Sequence, residues 1–142
     1  MDKQENYVKL EFYAKDQNVA IARLAAAAFA GEIGFSLSDI EEIKVAVSEG
    51  VSNAIIHGYG GDESRLVEVT LSVEKSLLKL EIKDDGVGIA DIKKAMEPTY
   101  SSVAERMGLG FVFMESFMDT LNVHSSPNCG TVLLMTRRCP HS

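Results

Sequence analysis

The chain lacks the features that mark several large classes of protein. Its longest apolar run, residues 24–30, falls far short of the roughly 20 apolar residues that a membrane-spanning helix needs. Cys129 and Cys139 are the two cysteines, and no histidine pattern accompanies them, so we expect idle or buried thiols and no zinc site. No charged, apolar, small-residue signal peptide opens the chain. We therefore expect no membrane association and a reducing, cytoplasmic compartment.

Basic residues are also scarce relative to acidic ones. Fourteen Lys and Arg stand against twenty-one Asp and Glu, which leaves a formal net charge of −7. The summed field of such a surface repels a polyanion, so direct binding to nucleic acid is not expected. A role in transcription would run through a protein partner or a small nucleotide, and a metal ion would help a phosphate to bind.

The rest of the composition is that of an ordinary globular domain. Hydrophobic residues make up 46% of the 142 positions and charged residues 25%, which argues against a disordered chain. This length is enough for one sizeable core and short for two. We therefore predict a single domain over residues 1–142.

Hydrophobic periodicity divides the chain into predicted strands and helices. Residues 7–13 alternate in the manner of a half-buried strand, which we expect at a sheet edge or a dimer contact. Ser38 and Glu41 form a capping box that starts a helix running to Gly58. The other predicted strands are 66–73, 77–83, 121–124 and 131–136. Three more helices are predicted. The first runs from a cap at Asp16 or Asn18 to near Gly31 and Gly34, the second covers 91–96, and the third begins at Gly108. Residues 99–107 are expected to form a loop, and residues 137–142 a frayed tail.

One predicted helix carries polar side chains where an apolar surface is expected. Within residues 45–59, VAVSEGVSNAIIHGY, the residues Glu49, Asn53 and His57 recur at every fourth position and lie one above another. The remaining surface is largely Val, Ile, Ala and Gly, which places the helix inside a domain. A carboxylate there costs free energy unless something binds it, so the pattern indicates a functional cleft.

Two glycine-rich stretches follow this helix. The strand over 77–83 runs into DDGVGI at residues 84–89, and GLGF at residues 108–111 opens a helix after the predicted loop. A lone Gly-x-Gly is more often a tight turn than a phosphate site. Glycine lets the backbone approach a ligand closely, however, and free N–H groups at a helix start favour an anion. Together with the polar helix, these stretches favour a phosphate-containing ligand.

The chain resembles the ATP-binding domain shared by gyrase and the sensor histidine kinases. The resemblance lies in the order and spacing of four stretches: SEGVSNAIIHGY, DDGVGI, GLGF followed by VFMESFMD, and Gly130-Thr131. The resemblance is greatest to the anti-sigma factor serine kinases of sporulating bacteria, in particular the anti-sigma F factors, over residues 10–136. It implies an α+β fold in which helices cover one face of a mostly antiparallel mixed sheet and a lid closes over ATP. It also implies a homodimeric serine kinase, dependent on ATP and Mg²⁺, that inhibits a sigma factor and phosphorylates an anti-anti-sigma protein.

The resemblance assigns roles to individual residues. Asn53 would coordinate Mg²⁺ through its amide oxygen, and Glu49 would be the general base for the attacking hydroxyl. Asp84 would accept a hydrogen bond from the adenine amino group. The other implied nucleotide-binding positions are Gly86, Gly88, Arg106, Gly108, Gly110 and Thr131. Arg23 on the first helix would contact the protein partners or would only solvate its helix, and the surrounding Ala22, Leu24 and Ala26 are compatible with an exposed docking face.

Several positions depart from the family pattern. The lid, TYSSVAERM, is shorter and lacks a Lys-Pro step, Ala90 replaces a Pro, and Gly50 stands where Ala is typical. Three alternatives therefore stay open: a non-catalytic ATP-binding module that sequesters a sigma factor, a general-stress paralogue, and an orphan sensor-kinase domain. His57 ends its helix and is assigned to packing, because the chain has no room for a separate phospho-acceptor domain.

Overall fold

The computed structural model describes residues 5–96 and 102–140, without the side chains at positions 93, 94 and 102–107. Within these residues, one sheet and its covering helices form two layers. In chain order the elements are β1 (Asn6–Tyr13), α1 (Asp16–Ile33), α2 (Leu37–Asn53), a π-helical turn (Ala54–Gly58), β2 (Leu66–Glu74), β3 (Leu77–Asp84), α3 (Ile92–Ala95), α4 (Ser102–Phe117), β4 (Thr120–Ser125) and β5 (Thr131–Arg138).

The five strands form one sheet in the order β1-β2-β3-β5-β4, and every neighbouring pair is antiparallel. Short hairpin links join β2 to β3 and β4 to β5, and β1 lies at an edge, as the sequence predicts. The register pairs Asp84, the last residue of β3, with Thr131, the first residue of β5. The expected α+β fold class is confirmed. The sheet was expected to be mixed, but all of its described strand pairs are antiparallel.

The core lies between the helices and one face of the sheet. Along β2 and β3, buried residues such as Val69 and Ile82 alternate with more exposed ones, as the pleat of a strand requires. Ala22 and Ala26 on α1 are buried with Val47 of α2, and such small side chains let the two helices pack closely. Burial of this apolar surface supplies roughly 25 cal/mol per Å² toward folding.

The helix boundaries differ from the predicted ones at the caps. Helix α1 begins after Lys15, which makes no side-chain cap, so the prediction of Asp16 or Asn18 as the cap was wrong. Helix α2 is capped by Ser36, whose Oγ accepts a hydrogen bond from the Asp39 N–H at 3.1 Å, and not by Ser38. Asp39 then supplies the negative charge that the first turn of a helix favours.

Helix α4 begins well before the predicted position at Gly108. It starts at Ser102, so residues 102–107 are helical and the prediction of a loop there was wrong, while residues 99–101 lie outside the described part of the chain. The physical reason is propensity, since Ala, Glu, Arg and Met in SVAERM are all good helix formers. Gly108 and Gly110 therefore lie inside a helix and not at its start.

The predicted frayed tail is also partly wrong. Arg137 and Arg138 belong to β5, and Cys139 is 2% exposed. Arg137 donates hydrogen bonds to the Phe117 carbonyl at 2.7 Å and to the carboxylates of Asp39 and Glu42 at 2.8 and 3.0 Å. These contacts join β5 to the end of α4 and the start of α2. Among the described residues, no helix has the length and apolar character needed to cross a membrane.

Candidate functional site

Glu49, Asn53 and His57, which we call the polar stripe, lie where α2 changes its winding. The α-helix ends at Asn53 and continues as the π-helical turn Ala54–Gly58, in which the Tyr59 N–H donates to the Ala54 carbonyl at 3.0 Å. Single π turns are frequent at functional sites. Glu49, Asn53 and His57 line one pocket, together with Leu109 and Phe113 of α4. The prediction that these three polar residues share one face is confirmed.

Asn53 is the residue in this pocket with an unmet bonding requirement. Its side-chain Nδ2 is buried and has no hydrogen-bond partner among the described residues. An unsatisfied buried polar group costs about 1–3 kcal/mol. Such a cost is ordinarily met by a ligand or an ordered water, so Asn53 marks a place where something polar binds.

Asp84 lies at the opposite end of the cleft, at the end of β3. It is 6% exposed, and its Oδ1 accepts a hydrogen bond from the Gly86 N–H at 2.9 Å. Burial raises the pKa of the Asp84 carboxyl above its ordinary value, although the Gly86 N–H opposes that shift. A hydrogen bond from the Thr131 N–H also opposes this shift in pKa, so two backbone N–H groups hold this carboxyl group in place. A buried carboxylate fixed in this way is suited to accept a further hydrogen bond from a ligand.

A small cavity connects these two residues. It holds about 20 Å³, and its lining includes Asn53, Gly58, Asp84, Ile89 and Phe111. That volume suffices for about one water molecule and is too small for a nucleobase. Binding of a base would therefore require the walls to move apart.

Glycine is required in the loop that follows Asp84. A Cβ at Gly86 would lie 2.0 Å from the Gly58 carbonyl oxygen. Gly88 has a φ of +75°, and a Cβ there would lie 1.9 Å from the Ser126 carbonyl oxygen. The loop thus passes directly against the π-helical turn on one side and the β4–β5 turn on the other. Side chains at either glycine would push these segments apart.

Thr131 lies beside Asp84, as its register position requires. Its Oγ1 is 2.8 Å from the Oγ of Ser125. The Ser125 Oγ also accepts a hydrogen bond from the Ile89 N–H at 2.8 Å and donates one to the Gly130 carbonyl at 2.8 Å. Ser125 therefore ties the end of the glycine loop to both final strands. The sequence analysis missed Ser125, because a serine before a Pro-Asn turn carries no signal beyond that of an ordinary turn residue.

Helix α4 packs directly over the polar stripe. A Cβ at Gly110 would lie 3.1 Å from Glu49 Oε2 and 3.4 Å from Asn53 Oδ1. Both Gly108 and Gly110 are buried, while Leu109 between them is 42% exposed. The structure thus brings the Gly-x-Gly stretch to Glu49 and Asn53. The Arg106 side chain lies outside the described residues.

Arg23 lies on the side of Glu49 that faces α1. It shares a groove between α1 and α2 with Lys44, Ser48 and Glu49, and its Nη1 donates to Ser48 Oγ at 3.2 Å. Arg23 is half-buried in this groove, so the interpretation that it merely solvates its helix is not favoured. Its expected surroundings need correction. Ala22 and Ala26 are buried at 0% and 1% exposure, whereas Leu24 is 63% exposed.

The described side chains of this cleft include no acidic or histidine cluster for a metal ion. No group of three or more His, Cys, Asp or Glu in the described part of the chain is arranged to hold one. Cys129 is exposed and Cys139 is buried, and neither forms a disulfide within the described part of the chain. A cation here would need a ligand that brings its own oxygen atoms.

Comparison with known proteins agrees with this geometry. The model of the histidine kinase-like ATPase domain matches residues 12–137. Anti-sigma F factors from Clostridium acetobutylicum and Clostridium perfringens are 44% and 41% identical to the chain over 136 residues, and the match spans 94% of the chain and 94% and 97% of those relatives. The chain therefore belongs to the histidine kinase-like ATPase family. Within that family its similarity is to the anti-sigma F factors, so the resemblance that the motifs indicate is confirmed.

A solved structure shares the architecture. The RsbU and RsbW domains of a Mycobacterium tuberculosis protein match with a TM-score of 0.69 and 21% identity, over 94% of this chain and 32% of that one. At this identity the match shows the fold alone. It agrees with the layered arrangement of sheet and helices described above.

Proposed function

We propose that this protein is an anti-sigma factor and an ATP-dependent protein serine kinase, which binds a sigma factor and phosphorylates an anti-anti-sigma protein on serine. The observation that carries the proposal is the buried amide of Asn53, whose Nδ2 lacks a partner beside Glu49 and beneath the Gly-x-Gly stretch of α4. The similarity to anti-sigma F factors along 94% of the chain supports it.

The residues of the cleft fit ATP. Once the walls have moved apart, Asp84 would offer a buried carboxylate to the adenine amino group. Gly86 and Gly88 let the loop that follows Asp84 pack against the π-helical turn and the β4–β5 turn. Thr131, opposite Asp84 in the register, would support that contact. A guanine, which carries an oxygen at the corresponding position, would face the carboxylate with a second acceptor. This arrangement therefore favours adenine.

The cleft also fits Mg²⁺ that arrives with the nucleotide. Mg²⁺ prefers oxygen ligands and keeps several waters, so one amide oxygen together with phosphate oxygens meets its needs. Asn53 would supply that oxygen, with its amide turned so that Oδ1 faces the cation.

The phosphates would lie against the Gly-x-Gly stretch. In this structure Gly108 and Gly110 lie within α4. Backbone N–H groups inside a helix donate hydrogen bonds to the carbonyls one turn earlier. Freeing them for phosphate would require the first turns of α4 to unwind. Glycine is the poorest helix former after proline, so these positions are where unwinding costs least. Arg106, in the same segment, would add a positive charge.

MgATP supplies a phosphoryl group that transfers to a hydroxyl. Glu49 would accept the proton of the acceptor serine while the serine oxygen forms the new bond to phosphorus and ADP leaves. Asn53 would hold the metal that neutralises the developing charge. Because phosphoryl transfer depends mainly on positioning and charge, these two residues and the α4 backbone supply most of what the protein needs to provide.

Partner binding would use the surfaces beside this cleft. Arg23 opens onto the α1–α2 groove that Glu49 also lines, so a protein docked there would lie next to the proposed base. A second copy of the chain would pair along the free edge of β1. The net charge of −7 favours action on transcription through the sigma factor and not through nucleic acid.

The direct test is to mix the protein with MgATP and its cognate antagonist and to look for phosphoserine by mass spectrometry. Glu49→Gln should reduce the transfer rate by at least about a hundredfold, within the range ascribed to general bases. ATP affinity should be unchanged, because Gln keeps the shape of the side chain. Glu32→Gln, at an exposed position near the end of α1, is the control and should transfer at the normal rate. Absence of phosphoserine with the unmodified protein would contradict the kinase proposal.

A second candidate function is suggested by the packing of α4. Because Gly110 lies against Glu49 Oε2, α4 restricts access to the proposed base from one side. A protein that kept it would use ATP only to hold a conformation that sequesters a sigma factor. If ATP changes the affinity for the sigma factor and no phosphoserine forms, this second function is the correct one.

A further inference from the structure

Residues 58–66 connect the π-helical turn to β2 and lie against the loop that contains Asp84. Backbone contacts make part of this attachment, since the Val87 N–H donates to the Gly58 carbonyl at 2.9 Å. Two side chains of the segment, Tyr59 and Arg65, make the rest. Neither was singled out by the motifs, because aromatic and basic residues near a turn are common.

Tyr59 is buried, at 8% exposure, and both bonding capacities of its hydroxyl are used. Its Oη donates to the Leu66 carbonyl at 2.5 Å and accepts from the Asp85 N–H at 2.7 Å. Burial raises the pKa of the Tyr59 hydroxyl, so it keeps its proton and continues to donate. The hydroxyl therefore acts as a bridge between the start of β2 and the peptide that follows Asp84.

Arg65 binds the second backbone polar group of Asp85, its carbonyl. Its Nη2 donates to the Asp85 carbonyl at 2.8 Å, and its guanidinium carbon lies 4.8 Å from the centre of the Tyr59 ring. Stacking on the ring fixes the orientation of the guanidinium. The backbone N–H and C=O of Asp85 are thus both held by side chains of residues 58–66.

Asp85 separates Asp84 from Gly86, and these two residues are already joined by the 2.9 Å bond between Gly86 N–H and Asp84 Oδ1. The Thr131 N–H bonds to the same carboxyl group from β5. Holding the Asp85 peptide therefore fixes, together with Thr131, the direction in which the Asp84 carboxylate points. We propose that Tyr59, assisted by Arg65, is a positioning residue that orients Asp84 and thereby determines ATP affinity and the preference for adenine. This inference rests on the proposed function, because it assumes that adenine binds at Asp84.

The test compares Tyr59→Phe with the unmodified protein. The variant keeps the ring and its stacking with Arg65. It removes only the hydroxyl, and with it the bonds to the Asp85 N–H and the Leu66 carbonyl. We expect ATP to bind about tenfold more weakly by calorimetry, and the ratio of GTP to ATP dissociation constants to fall toward one. The transfer rate at saturating ATP should stay within about twofold, since Glu49 and Asn53 are untouched. Tyr7→Phe, at a position 59% exposed on β1, is the matched control and should change neither the ATP affinity, nor the GTP to ATP ratio, nor the transfer rate.

A second variant guards against a general loss of folding. Arg65→Met keeps the aliphatic stem and removes the bond to the Asp85 carbonyl, so ATP should bind about threefold more weakly with the same loss of discrimination. If Tyr59→Phe does not fold, this variant decides. Unchanged ATP affinity and an unchanged GTP to ATP ratio would overturn the inference while leaving the proposed function intact. Failure of the unmodified protein to bind ATP would instead overturn the proposed function.

Discussion

At the scale of single residues, Asp84 is under two opposing demands. Ligand binding favours a buried carboxylate, whereas folding favours no buried charge, and burial accordingly raises the pKa of this carboxyl. Asp84→Asn removes the charge and keeps an oxygen for the Gly86 N–H. We expect the free energy of unfolding at pH 7 to rise by about 1 kcal/mol and ATP affinity to fall at least about tenfold. Chemical denaturation and calorimetry measure the two effects.

The pH dependence gives an independent check on the same residue. Since the folded pKa of Asp84 lies above the unfolded value, the folded state binds its proton more tightly, and the stability linked to that proton is lost as pH rises through the folded pKa. The stability difference between Asp84→Asn and the unmodified protein should therefore be largest near pH 7. It should shrink as the pH falls through the raised pKa. A difference that grew in acid would contradict the assignment of the charge cost to Asp84.

Much of the candidate site could be predicted because its residues obey short-range rules. Glu49, Asn53 and His57 are spaced by one helical turn, so any helix there brings them together. Asp84 ends a strand whose alternation is plain. Ser125 and Tyr59 could not be found in this way, because their hydroxyls bond to loops that are distant in sequence and near only in the folded chain.

At the scale of elements, the errors arose where local signals compete. Ser36 and Ser38 both satisfy the rules for an N-cap, and the structure uses the one whose Oγ reaches Asp39. Residues 102–107 favour a helix by propensity, while the glycines beyond them favour a break, and in this structure propensity prevails. The place of Arg137 in β5 depends on Asp39, Glu42 and Phe117, which no local pattern reveals.

The packing of α2 on β3 explains one departure from the family. A Cβ at Gly50 would lie 2.3 Å from the Cδ1 of Ile82, which is 1% exposed, so this chain keeps Gly where Ala is typical. We expect Gly50→Ala to lower the free energy of unfolding by about 1 kcal/mol, because overpacking against Ile82 outweighs the roughly 0.5–1 kcal/mol that Ala gains over Gly inside a helix. Thermal and urea denaturation measure the change.

Removal of the clashing methyl should rescue this variant. Ile82→Val deletes Cδ1 and alone should cost roughly 0.5–1.5 kcal/mol. Combined with Gly50→Ala, the two losses should cancel in part, with a coupling energy of at least about 1 kcal/mol. Gly31→Ala on α1, where the nearest atom would be 3.9 Å away, is the control and should be neutral or stabilising. Strict additivity of the two substitutions would show that Ile82 does not limit the volume at Gly50.

At the scale of the whole molecule, β1 leaves one edge of the sheet open to pairing. Within the described residues it pairs with β2 alone, and Tyr7, Val8 and Tyr13 are 59%, 38% and 54% exposed. Exposed backbone groups and apolar side chains along a sheet edge are what a second copy of the chain could cover. The proposed homodimer would close the sheet in this way, and the cleft at the far end of α2 would stay accessible to partners.

The dimer can be tested by sedimentation equilibrium at micromolar concentration. The unmodified protein should have a mass near twice the 15.5 kDa of one chain. Val8→Lys places a charge on β1 and should raise the dissociation constant of the dimer at least about tenfold, because edge lysines block strand pairing. Leu37→Lys, at the start of α2 and 83% exposed, is the matched control and should stay dimeric. A monomeric unmodified protein, or equal masses for all three proteins, would show that β1 does not form the interface.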